Sequence, residues 1–148
     1  MSSDGELRSV REAIYDAIVK RGVAPSTQEI AEACAMPAPR IENIVRELAD
    51  AHVIVLQARS TDLWAAPPFS AVPSGFIVRA QGRPWFAPCA WDAFGIPAAL
   101  HSDADIDASC AETGEPIHCG VRGRREFGTA VIHLLVSAAH FWDDIIYT

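Results

Sequence analysis

Trp85-Phe86-Ala87-Pro88-Cys89-Ala90-Trp91-Asp92-Ala93-Phe94-Gly95-Ile96-Pro97-Ala98-Ala99-Leu100 reads as a short strand that hands over to a helix near Pro88 or Cys89. Paired aromatics ahead of a proline suit extended backbone, and the small apolar run after Cys89 suits a buried helix. A cysteine at a helix start sits at the positive end of the backbone dipole. Free N–H groups there favour the thiolate, the nucleophilic and metal-binding form. Asp92 follows three residues later, on the same helical face as the sulfur. A thiolate beside a carboxylate in apolar surroundings is repelled by it. A proton held between the two relieves the repulsion and raises an apparent pKa of the pair. Such a pair can bind a soft metal and deliver a proton beside it. Taken alone, this spacing is most often an unreactive core thiol next to a helix-start carboxylate.

Upstream, Phe76-Ile77-Val78 reads as a strand and Gln81-Gly82-Arg83-Pro84 as a turn. Pro67-Pro68 and Pro73-Ser74-Gly75 mark a linker of low helix potential. Ahead of it lie three helices. Leu7, Val10, Ile14, Ile18 and Val19 form a helical apolar stripe that ends at Gly22. Ser26 or Thr27 caps a second helix, with Glu29 at capping-box distance from Ser26, running to about Cys34. After Met36-Pro37-Ala38-Pro39, a third helix over 40–51 buries Ile41, Ile44, Val45 and Leu48. Val53 to Leu56 and Leu63-Trp64-Ala65 form a hairpin across a polar turn. Three helices and a hairpin in this order resemble a winged helix-turn-helix. The expected organisation is a winged-helix-like region over 1–66 and a second core over 67–148.

Downstream, 103–109 alternates as a strand and 110–116 is a turn-rich loop. Ile117 to Val121 is a strand, with Thr129 to Val136 expected to answer it across a basic turn at Arg122, Arg124 and Arg125. The tail is expected to start a helix at Trp142-Asp143-Asp144 and pass into a strand, Ile145-Ile146-Tyr147. The fold class is therefore α+β, with a mixed, mostly antiparallel sheet and one helix carrying Cys89 and Asp92.

Composition narrows the function. The 148 residues carry a net charge of −7, which opposes nucleic-acid binding, since phosphates are neutralised by Lys and Arg. The polar, acidic start at Met1-Ser2-Ser3-Asp4 is unlike a signal peptide, and no apolar run is long enough to span a bilayer. A cytoplasmic protein without a membrane partner is expected. Cys34, Cys89, Cys110 and Cys119 contain no CxxC pair and should then be thiols.

Three segments together resemble the alkylmercury lyases, also called organomercurial lyases. The Cys89-Ala90-Trp91-Asp92 stretch and its run to Pro97-Ala98 are similar to the family's active-site helix. Cys110-Ala111-Glu112-Thr113-Gly114-Glu115-Pro116 resembles its Cys-x-x-Thr-Gly-x-Pro loop, and 68–73 its linker. The resemblance implies protonolysis of the carbon–mercury bond of an organomercurial R–Hg⁺, giving RH and Hg(II). Soft thiolates suit this soft ion. By that resemblance Cys89 holds mercury as substrate and product, Asp92 donates the proton, and Cys110 is structural, buried under the Thr113-Gly114 loop. No cofactor is implied. Small thiols or a mercuric reductase would accept the Hg(II). The stretch Phe141 to Thr148 resembles the family segment leading into a second mercury-binding cysteine. The chain as given stops before it and is expected to be a fragment.

Other residues read more plainly. Cys34 is expected to be packing, and Cys119 has no counterpart in the family pattern. His118 and Cys119 point to opposite strand faces, and a zinc site from Cys89, Cys110, His118 and Cys119 lacks closed-site spacing. His133, on the strand expected there, and His140, at a helix start, should be hydrogen-bonded within the fold. Asp103, Asp105 and Asp107 should share a solvated strand face. Two other functions compete with the lyase. One is a non-catalytic mercury- or soft-metal-binding protein of the same fold. The other is a winged-helix regulator, disfavoured because the helix over 40–51 sets Arg40 and Arg46 against Glu42, Glu47 and Asp50.

Overall fold

The computed structural model describes residues 1–146. Helix α1 (Asp4–Arg21) begins with a capping box between Ser3 and Glu6 and ends at Gly22 in left-handed backbone. Helix α2 (Thr27–Cys34) carries the expected capping box, with Ser26 as its cap. Helix α3 (Ala38–Asp50) starts two residues earlier than expected and takes Pro39 into its first turn. No intrahelical donor is needed there, so proline fits. Val10, Ile14, Ile18, Ile30, Ile41, Ile44, Val45 and Leu48 form the core between them. Val19 faces outward at 39% exposure, because it lies a full 100° round the helix from Ile18.

Strands β1 (Val55–Leu56) and β2 (Leu63–Ala66) pair as expected, and the proline-rich linker adds β3 (Phe69–Ser70) to their sheet. The second sheet has the order β5-β4-β6-β7-β8, all antiparallel: β4 (Phe76–Ala80), β5 (Arg83–Ala87), β6 (Ala104–Ser109), β7 (Pro116–Arg122) and β8 (Arg125–Phe127). Its register lines up Trp85, Val78, Ile106 and Cys119 in one inward row. All four are buried. Helix α4 (Ala90–Leu100) lies over this face and buries Ala93, Ile96, Pro97 and Leu100. The architecture is α+β.

The opposite face is charged. Asp105 pairs with Arg122 at 2.6 Å, Asp107 with Arg79, and His118 Nδ1 lies 2.9 Å from Asp107 Oδ1. Asp103 accepts the Gly123 amide at 2.9 Å. Strand alternation sends Cys119 inward and leaves His118 exposed.

Two expectations for the C-terminal part are overturned. The strand answering β7 is β8, not 129–136, because the turn at Gly123-Arg124 is tight and pairs Arg122 directly with Arg125. Beyond Phe127 the chain leaves the ladder at Gly128, which passes so close to Cys119 that an added Cβ would lie 2.6 Å from the Cys119 Cβ. Val131 and Leu135 are exposed at 90% and 66%, and His133 sits in irregular chain. The tail forms a 3-10 helix, Ala138–Asp143, in which His140 bonds Asp143 at 2.9 Å. Ile145 and Ile146 form a turn rather than a strand. Tyr147 and Thr148 lie outside the described residues. Trp142 stacks on His52 with ring centroids 4.2 Å apart.

Two outcomes test this fold. An alanine Cβ at Gly120 would lie 2.1 Å from the Ala104 carbonyl oxygen. Gly120→Ala should therefore cost about 1–3 kcal/mol in urea unfolding, and an unchanged midpoint would contradict the β6–β7 register. The second outcome concerns acid. Arg40 and Ser3 hold the Glu6 carboxyl down at about 2, and Arg21 and Ser26 hold Glu29 at about 2. A depressed folded-state value stabilises the protein above the usual carboxylate range and is lost as pH falls through it. Tm should drop between about pH 4.5 and about 2. A Glu6→Gln, Glu29→Gln double variant should start lower and drop less.

Candidate active site

Strand β5 ends at Ala87, and Pro88-Cys89 turns the chain into α4. Cys89 is the N-cap of that helix, in extended backbone, and its Sγ accepts the Asp92 amide at 3.4 Å. Its own S–H donates to Asp92 Oδ2 at 3.4 Å. The two groups predicted to share a helical face are therefore in contact, and both are half-buried.

Burial dominates their ionisation. It pushes the Cys89 thiol up; the Asp92 amide works against that, and the Asp92 charge adds to the rise. Burial likewise raises the Asp92 carboxyl, with the bond from Cys89 partly offsetting it. The helix N-terminus was expected to favour the thiolate, and loss of water outweighs it here. Two acids that each resist ionisation, held in contact, favour a shared proton over two charges.

The other cysteines sit elsewhere. Cys34 is half-buried, with the Ser9 hydroxyl 3.7 Å from its sulfur. Cys119 is buried, and burial raises its thiol. Cys110 is only half-buried, less than the resemblance implied. The Thr113 hydroxyl, then the Thr113 and Glu112 amides, lower its thiol. Its backbone closes the loop, bonding Glu115 and Gly114 at 2.8 Å each. Cys110 and Cys119 both open onto an apolar cavity of about 350 Å³, lined also by Ala90, Phe94, Ile117 and Phe127. On α4, Ala90 and Phe94 lie on the flank roughly opposite Asp92 and Gly95. Cys89 and Asp92 do not line this cavity. Among the described residues no three His, Cys, Asp or Glu side chains converge as a metal site, and no helix is long and apolar enough to cross a membrane.

Two residues near the pair were passed over in the sequence. Tyr15 on α1 donates its hydroxyl to the Pro67 carbonyl at 2.9 Å, and its phenol is raised chiefly by burial, with a contribution from the Asp92 charge. Gly95 lies one turn beyond Asp92, against Pro68. An aromatic one residue beyond an apolar stripe carries no local signal of such a contact. A glycine inside a helix does carry one, since it costs about 1 kcal/mol relative to alanine.

Comparison with known proteins agrees on one family. The family described as alkylmercury lyase, MerB, matches residues 69–148. A crystal structure of the mercury-bound form of MerB2 superposes with a TM-score of 0.66 at 26% identity, covering 84% of this chain. The chain spans 59% of the length of that relative. No curated protein sequence matches.

The ionisation is open to measurement by alkylation with iodoacetamide, followed peptide by peptide against pH. Cys89 should react with a midpoint above that of an ordinary thiol, and Cys110 below it. Asp92→Asn removes the neighbouring charge and should lower the Cys89 midpoint, while burial keeps it above that of Cys110. A Cys89 midpoint below that of Cys110 would contradict this electrostatic account.

Proposed function

Because the chain belongs to the alkylmercury lyase family, we propose that it cleaves the carbon–mercury bond of organomercurials by protonolysis, with Cys89 as the mercury thiolate and Asp92 as the proton donor. The observation that carries this reading is the Cys89–Asp92 contact of 3.4 Å at the start of α4. It holds a soft-metal ligand and a general acid within reach of one atom pair.

The substrate enters as R–Hg–SR′, the form an organomercurial takes with a small thiol. Cys89 sulfur binds mercury, its proton passes to Asp92, and R′S⁻ is released. Thiolate donation from Cys89 and a returning R′S⁻ weakens the Hg–C bond. Asp92 then protonates the carbon as that bond breaks. RH leaves, Asp92 is again a carboxylate, and mercury remains as Cys89–S–Hg–SR′. A second small thiol protonates and frees Cys89 and carries off Hg(SR′)₂. Burial raises the Asp92 carboxyl, which favours its taking the proton from Cys89 in the first half of this cycle before giving it to carbon in the second. Cys110 is proposed to be structural, tying off the loop over 110–116. Small thiols, or a mercuric reductase, are the proposed acceptors of Hg(II), in the cytoplasm.

A second reading is favoured by one observation. Cys110 and Cys119 lie on the cavity on the other flank of α4, so among the described residues Cys89 stands as the mercury ligand beside Asp92. A protein so equipped could bind mercury without cleaving the bond.

Methane release from methylmercury in excess small thiol separates the two. Cys89→Ala should abolish both tight mercury binding and methane release. Asp92→Asn should retain most of the binding and slow release by about 10²–10⁴-fold, the usual contribution of a positioned general acid. Unchanged turnover in Asp92→Asn would remove the acid role. Binding through Cys89 without methane from the parent protein would establish the second reading.

A further inference from the structure

On the flank of α4 away from Asp92, the sheet and the chain beyond Phe127 enclose the apolar cavity of about 350 Å³. Strands β6 and β7 form its floor. Their register pairs Ile106 with Cys119 and Ala108 with Ile117, and all four residues line the cavity. Cys119 is 7% exposed, and burial alone raises its thiol. Its sulfur has no hydrogen-bond partner among the described residues. Cys110 stands just past the end of β6, four residues beyond Ile106. At about 3.3 Å per residue, that sets it roughly 13 Å along the strand from Cys119. Two cysteines so far apart can neither form a disulfide nor grip one ion together. They mark opposite ends of one apolar space.

The two sulfurs differ in reactivity. The Thr113 hydroxyl, then the Thr113 and Glu112 amides, lower the Cys110 thiol, so its thiolate is the easier one to form. The backbone of Cys110 closes the loop over 110–116, and its side chain lines the cavity. Phe76, Phe94 and Phe127 bring aromatic rings to the walls. An apolar cavity of about 150 Å³ is enough to take benzene, so this one has room for an aryl group. We propose that the cavity is a second organomercurial site, where the Cys110 sulfur takes mercury and the apolar space takes an aryl group. The step is a thiol exchange. R–Hg–SR′ meets the Cys110 thiol, the Cys110–mercury bond forms, the Hg–SR′ bond breaks, and R′SH leaves with the proton from Cys110. Carbon stays on mercury, because Cys89 and Asp92 do not line the cavity. The carboxylates that do, Glu112 and Glu126, are exposed.

The full chain carrying Cys89→Ala isolates this site, whether or not the parent cleaves methylmercury. Phenylmercury or methylmercury is added with excess small thiol. Native mass spectrometry counts the mercury retained, and protection from iodoacetamide locates the occupied thiol. One phenylmercury per chain should be held, with Cys110 protected. Methylmercury fills little of the cavity and should bind at least about tenfold more weakly, too weakly to survive the excess thiol. Adding Cys110→Ser should abolish the retention of phenylmercury. Adding Ala108→Leu instead narrows the cavity and should erase the preference for phenyl, while Cys110 still reacts with iodoacetamide. Circular dichroism confirms the fold of each variant. Equal retention of the two mercurials would make Cys110 an ordinary thiol and overturn the site. So would protection of Cys34 or Cys119 in place of Cys110, a preference that Ala108→Leu leaves intact, or no retention of phenylmercury.

Discussion

Helix α4 lies on the inward row Trp85, Val78, Ile106 and Cys119, and the position of every reacting group follows from that seat. Ala93, Ile96 and Leu100 are the buried side of the helix. Apolar burial of this kind contributes roughly 25 cal/mol per Å² removed from water, and it fixes both the height and the rotation of α4. With the rotation set, Cys89 has to be the residue at which extended backbone gives way to helix. Asp92 then comes into contact with its sulfur without any additional interaction needed to bring it there. The small, buried side chain of Ala93 lets the helix lie close to the sheet.

That placement sets up a competition between two electrostatic effects. A helix N-terminus stabilises a thiolate through its free amides, and the Asp92 amide points at Cys89 sulfur to do so. Removal of water opposes charge on both groups, and it is the larger influence on each. The result is a pair that resists carrying two negative charges but readily holds one proton. The charged face of the same sheet behaves in the opposite way. Asp105 is lowered by its bond to Arg122, and its exposed neighbours exchange partners with water at little cost. Burial on α4 and ion pairing on the open face of the sheet thus shift the Asp92 and Asp105 carboxyls in opposite directions.

The segment beyond Phe127 behaves differently from the sheet it leaves. Gly128 passes close over Cys119, pairing stops, and large apolar side chains at 131 and 135 face outward. Pattern alone misleads here. Thr129 to Val136 is rich in apolar residues and reads as a strand, yet β8 supplies the partner that β7 needs after a tight turn.

Much of the fold was legible in the sequence because its signals are local. The capping box at Ser26 and Glu29, the period of Val10, Ile14 and Ile18, the turn at Gln81-Gly82 and the alternation over 103–109 each act within a few residues. The sharing of one helical face by Cys89 and Asp92 is of the same kind, since three residues along a helix always bring side chains together. Tertiary structure decided what depends on distant partners. It assigned β3 to the first sheet, replaced the expected last strand with β8, and left Cys110 half-exposed. It also placed Tyr15 against a carbonyl 52 residues away and Pro68 against Gly95. No local pattern encodes these contacts. Burial, which governs the ionisation of Cys89 and Asp92, belongs to the same class, because it exists only once the rest of the chain has packed around them.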